Sequence, residues 1–151
     1  MKKGIILVPF MTGRGGTESV IHNLFQSIKE NNKLQMTVHS IGGSENYEWT
    51  NGVPISTTYI SSKRKIRNIY YALFLFFKIH HIIKEEKPDF IISTNPIMWY
   101  LSKKIVDSQN LNIPIIAWYH YSLKQKPLKK IFFNADGYLA ISSGIKEQLE
   151  S

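Results

Sequence analysis

The most constraining stretch of the chain is its amino terminus, where Gly4-Ile5-Ile6-Leu7-Val8-Pro9-Phe10 runs into Met11-Thr12-Gly13-Arg14-Gly15-Gly16-Thr17-Glu18. A continuous apolar run rich in β-branched residues suits a strand covered on both faces, the situation of strands in a parallel sheet. Gly15 and Gly16 lack a Cβ, so the backbone can take a positive φ and a ligand can approach the amides closely. Thr17 reads as the N-cap, and Glu18 as a first-turn acid, of a helix carrying Val20, Ile21, Leu24, Phe25 and Ile28. A strand, a glycine turn and a helix in that order aim free N–H groups at whatever lies above the strand, an arrangement that suits an anion such as a phosphate. The same turn also serves geometry alone, with no ligand.

The rest of the chain repeats the alternation. Leu34 to Ser40 alternates like a half-buried strand, Glu45 to Pro54 reads as an exposed loop, and Ile55 to Ile60 as a short strand near a sheet edge. Arg64 to Lys84 predicts the longest helix, with one broad apolar face from Ile66 to Ile83. Pro88 follows its end, and Asp89 to Thr94 reads as a buried strand. Asn95-Pro96 leads to a helix from about Met98 to Asp107. Ile113 to Tyr119 and Asp136 to Ile141 read as two more strands, and Ser142-Ser143-Gly144 opens a last helix. The reading is an α/β fold: a Rossmann-like, doubly wound parallel sheet with helices on both faces, a single domain over residues 1–151.

In such a sheet, ligands bind beyond the carboxyl ends of the strands, where strand order reverses. The residues expected there are Arg14 to Thr17, Thr94-Asn95, Tyr119-His120-Tyr121-Ser122 and Ser142-Ser143-Gly144. The dinucleotide fingerprint matches at Gly13 and Gly15 but fails at Glu18, and no Gly-Lys-Ser/Thr follows for a P-loop. His120, after Trp118-Tyr119, can exchange a proton near neutral pH or can simply be a core or surface histidine. His80-His81 have no partner at metal spacing and read as structural.

Composition enters through charge and cysteine. The net charge of +8 suggests an anionic partner, and the absence of cysteine excludes disulfides and Cys-based zinc sites, in keeping with a cytoplasmic setting. No signal-peptide pattern is read at the amino terminus. Lys63, Arg64, Lys65 and Arg67 crowd the start of the long helix, just ahead of Tyr70, Tyr71, Phe74, Phe76 and Phe77. Two readings stand: the helix rests on an anionic membrane surface, or the aromatics pack on the sheet beneath solvated cations. Its apolar run is far short of the ~20 residues that span a bilayer. No recognition helix or RNA-binding signature is found, so no nucleic-acid partner is expected.

Gly15-Gly16-Thr17-Glu18, Lys87-Pro88-Asp89-Phe90-Ile91-Ile92-Ser93, His120 and Ala135-Asp136-Gly137-Tyr138-Leu139-Ala140-Ile141-Ser142, in that order, resemble the amino-terminal half of a GT-B glycosyltransferase. The closest likeness is the retaining group called family 4, the glycosyltransferase group 1 type of bacterial cell-surface polysaccharide synthesis. The resemblance implies a nucleotide-sugar donor, a saccharide or lipid-linked acceptor and no metal or other cofactor. It implies donor-diphosphate contacts at Gly15, Gly16 and Thr17, and a catalytic His120 against the transferred sugar or acceptor. Acceptor contacts are expected at Arg14, Thr94, Asn95 and Ser142, and membrane-surface contacts at Lys63, Arg64, Lys65 and Arg67. It further implies a second, donor-binding domain that these 151 residues do not contain, so the isolated chain is expected to be inactive. The alternative is a non-catalytic Rossmann-like module that holds an anion or a membrane surface.

Overall fold

The computed structural model describes residues 2–10, 16–28, 34–44, 48–50, 52–60, 63–119 and 135–140. Six strands form one parallel sheet: β1 (Lys2–Val8), β2 (Leu34–Gly42), β3 (Ile55–Tyr59), β4 (Phe90–Ser93), β5 (Ile115–Tyr119) and β6 (Gly137–Ala140), in the order β3-β2-β1-β4-β5-β6. Helices α1 (Gly16–Ile28), α2 (Arg64–Glu86) and α3 (Pro96–Ser108) make the crossovers. Every adjacent pair is parallel, with Ile6 opposite both Val38 and Ile92 at the centre. This is the doubly wound Rossmann-like sheet expected, with β3 at its edge.

Alternation along β1 sorts the two cores, because successive side chains of a strand point to opposite faces. Ile5 and Leu7 join the core under α2 and α3, with Leu75, Ile79, Ile82, Ile83, Met98, Trp99 and Ile105. Ile6 and Val8 join the core under α1, with Ile21, Phe25, Val38 and Trp118. Gly4 sits in β1 because its register partner Phe90 lays its ring over it. A Cβ there would stand 2.2 Å from that ring.

Three expectations need correction. Helix α1 already begins at Gly16, so Thr17 is its second residue and not its N-cap. The stretch 45–54 is not wholly an exposed loop. A 3-10 turn over Glu48–Thr50 buries Trp49, and Val53 is buried as well, both in the core under α1. The indole can be buried there because its N–H donates to Ser44 Oγ at 3.2 Å. Finally, the broad apolar face of α2 is two faces. Leu75, Ile79, Ile82 and Ile83 are buried against the sheet, whereas Ile66, Ile69, Leu73, Phe74, Phe76 and Phe77 are exposed. The helix also runs two residues past Lys84, and Lys87 closes it in a left-handed conformation, φ 47°, donating its N–H to Ile83 O.

Candidate functional site

Strand order reverses between β1 and β4, so the crevice of this sheet lies beyond Val8 and Ser93. The helix following each strand starts there on opposite faces: α1 covers the Ile6 and Val8 side, and α3 the Ile5 and Leu7 side. Two helix amino termini thus flank the crevice, and both favour an anion. Gly16 is the first residue of α1. The expected contacts Arg14, Gly15, His120 and Ser142 lie outside the described residues, as does the side chain of Thr17.

Thr94 and Asn95 stand at the end of β4. Thr94 is buried, 7% exposed, and its N–H donates to Leu7 O across the strand gap at 3.2 Å. Asn95 caps α3: Oδ1 accepts from the N–H groups of Ile97 at 2.9 Å and Met98 at 3.2 Å, with Pro96 at the first helical position. Ser93 Oγ accepts from Asn95 N and donates to Asn95 O, closing a tight turn. The Asn95 oxygen therefore has a structural task of its own, and its Nδ2 is the part available to a ligand.

Glu18, in the first turn of α1, is buried, which a place at a helix start does not by itself announce. A burial signal of this kind has no counterpart in the local pattern of the chain. His22 Nδ1 lies 3.1 Å from Trp49 O and ties the 3-10 turn to α1.

The other side of the rim is held by α2. Tyr71 Oη donates to Ile41 O near the end of β2 and accepts from Phe10 N at 3.1 Å. The Arg67 guanidinium lies 3.8 Å from the centre of the Phe10 ring, a cation–π stack. Gly42, at φ 131°, lets these parts meet: a Cβ there would come within 2.6 Å of Tyr71 Oη and 3.0 Å of Phe10 N. The three contacts fix how the chain leaves β1 toward the glycine turn. Arg67 is thereby separated from Lys63, Arg64 and Lys65, which are exposed on the first turn of α2 and the residue before it. His80 meets Gln109 Nε2 and stacks on Phe76, which fits a structural role.

The family described as Glycosyltransferase Family 4 matches residues 14–151. The lipopolysaccharide 1,6-galactosyltransferase of Escherichia coli (strain K12) is 24% identical over 144 residues, covering 92% of this chain and 38% of that protein. The enzyme of the same name from Salmonella typhimurium is 25% identical over 146 residues, covering 92% and 39%. The chain thus spans about two fifths of the length of these curated relatives. Among solved structures, the apo form of the lipopolysaccharide outer core galactosyltransferase WaaB superposes with a TM-score of 0.76 at 24% identity, over 98% of this chain and 42% of that one. Anabaena Alr3699/HepE in complex with UDP superposes at 0.64 and 14% identity, over 97% and 39%. The superpositions show a shared fold, and the family match runs from residue 14, in the glycine turn, to the last residue of the chain. The chain belongs to Glycosyltransferase Family 4.

Proposed function

We propose that these residues form the acceptor-side half of a retaining, nucleotide-sugar-dependent hexosyltransferase of bacterial cell-surface polysaccharide or glycolipid synthesis. The carrying observation is the family match over residues 14–151, laid on a crevice flanked by two helix amino termini. In this reading the amides of Gly15, Gly16 and Thr17 face the donor diphosphate and His120 faces the transferred sugar or the acceptor. Arg14, Thr94, Asn95 Nδ2 and Ser142 line the acceptor side. A second αβ domain beyond residue 151 supplies most of the donor site, and no metal is required. The enzyme works in the cytoplasm, peripheral to the inner face of the plasma membrane, where a lipid-linked acceptor would be presented.

The names of the curated relatives make galactose the first donor sugar to try. The test is transfer by the full-length gene product from a panel of nucleotide sugars, UDP-galactose first, to lipid-linked saccharide. Transfer that is abolished by His120→Ala is the expected result, and no transfer from any donor would count against the proposal. The 151-residue chain alone should bind a nucleotide sugar weakly, because one wall of the cleft encloses the diphosphate only in part. Micromolar affinity by titration calorimetry would overturn that.

A further inference from the structure

Tyr71 does more than pack α2 against the sheet. Its half-buried hydroxyl joins the ends of two neighbouring strands, donating to Ile41 O, 30 residues back, and accepting from Phe10 N, 61 residues back, at 3.1 Å. Burial pushes its ionisation above the ordinary 10.0, against the Phe10 bond and the Arg67 charge, so the hydroxyl keeps its proton near neutral pH. One turn earlier on α2, the Arg67 guanidinium stacks 3.8 Å from the centre of the Phe10 ring. Phe10 is therefore held by its main chain and by its side chain. Water could satisfy Phe10 N and Ile41 O equally well at a sheet edge, but only a fixed side chain also sets where they stand.

Strand order gives this tie a direction. β2 and β4 lie on opposite sides of β1, and Phe10 stands two residues past Val8, where β1 ends. By meeting Tyr71 beside Ile41 and Gly42, Phe10 leaves on the β2 side, away from the space beyond Val8 and Ser93. Across that space, Thr94 N donates to Leu7 O and holds the end of β4 to β1. The mouth of the crevice is thus set between two fixed backbone points, and α2 supplies one of them.

We propose that Tyr71, assisted by Arg67, is a positioning residue for sugar transfer: it fixes the point at which the chain leaves β1 and keeps the crevice between β1 and β4 open to the reacting groups. This rests on the glycosyltransferase reading above and adds to it a residue that touches neither sugar nor diphosphate. In that reading a second domain supplies most of the donor site, so lost positioning shows in kcat and not in the donor KM. A wall displaced by about 1 Å can cost as much as about 10²-fold in rate.

The test is steady-state transfer by the full-length protein and its Tyr71→Phe variant, well below both thermal midpoints. Amide exchange of the peptide containing Phe10, read by mass spectrometry on the same proteins, accompanies it. Tyr71→Phe should lower kcat roughly tenfold, leave the donor KM within about twofold, and speed exchange at Phe10 roughly tenfold, as loss of one hydrogen bond would. Arg67→Lys, which keeps the charge and gives up the planar stack, should lower kcat in the same direction but by less. Asp136→Ala, a destabilised variant at the other edge of the sheet, should keep the native kcat and the native exchange at Phe10. Three results would overturn the proposal: native kcat in Tyr71→Phe despite a lowered denaturation midpoint, an equal loss of kcat in Asp136→Ala, or a raised donor KM at unchanged kcat. Transfer by the native protein with an unaffected Tyr71→Phe variant refutes this proposal alone, whereas a native protein that transfers no sugar from any donor refutes the glycosyltransferase reading and this proposal with it.

Discussion

His39 is buried in β2, 7% exposed, and its Nε2 has no hydrogen-bond partner among the described residues. Glu86 Oε1 lies 3.6 Å away, near enough to attract a charge but too far for a hydrogen bond. Burial dominates and holds the imidazole below its usual value of 6.5, against the pull of Glu86 and with the help of Lys78 and Lys3. The unfolded chain thus takes up this proton more readily than the folded one, so the associated stability is complete above pH 6.5 and is lost as pH falls below it. Glu86 acts with the same sign, at lower pH. Its hydrogen bond to Lys3 leads in holding its carboxyl below 4.5, so its contribution is lost only as pH falls through that lower range. Urea midpoints measured from pH 8 to pH 5.5 should therefore decline in the native chain, and the slope should be flatter in His39→Gln. At Tyr71, loss of one hydroxyl in Tyr71→Phe removes a donor to Ile41 O and an acceptor for Phe10 N, at a cost of about 1–2 kcal/mol in chemical denaturation. Trp49 was not legible as a core residue, because its burial depends on α1 lying over it and on Ser44 meeting its indole N–H.

Among the elements, α3 depends on its cap and the centre of the sheet on a glycine. Asn95→Ala should cost about 1 kcal/mol, and Asn95→Asp should keep most of it, since a carboxylate can accept the same two amides. If Asn95→Asp also leaves stability intact but weakens acceptor binding in the full-length protein, the Nδ2 contact proposed above gains support. Gly4→Ala drives a methyl into the Phe90 ring and should cost roughly 1–3 kcal/mol, because a packed core yields only by displacing the ring. Gly137, where an added Cβ meets nothing within 4 Å, is the control and should tolerate alanine far better. The long helix shows the limit of periodicity. A 3.6-residue period identified α2 from Arg64 onward, yet its apolar residues lie almost all round, and no local pattern says which of them meet the sheet. Tyr70 and Tyr71 pack on the core while Phe74, Phe76 and Phe77 are exposed, so packing on the sheet describes only part of the aromatics.

For the whole molecule, the arrangement that matters is an edge. The crevice between β1 and β4, the amino termini of α1 and α3, and the cationic end of α2 all lie at the carboxyl side of one parallel sheet. Asp136 anchors the opposite side: its carboxylate accepts from Ile115 N and from Lys103 Nζ, each at 2.7 Å, and joins β5, α3 and the start of β6. Asp136→Ala should lower the thermal midpoint, because it removes the bonds that join β5, α3 and the start of β6.

The alternation of apolar strands and amphipathic helices was enough to determine the parallel sheet and its two covered faces, since each follows from local spacing and from the rule that such strands must be buried twice. Glycine spacing was likewise enough to turn away the dinucleotide and P-loop fingerprints. What only the tertiary structure decided are matters of long-range contact. Strand order brought Ser93 and Thr94 beside Leu7, and Tyr71 and Arg67 reached 61 and 57 residues back to Phe10. The packing of α2 buried one of its apolar faces and left the other beside its cations. A sequence period is blind to that choice, because both faces obey it equally and only the position of the sheet breaks the tie.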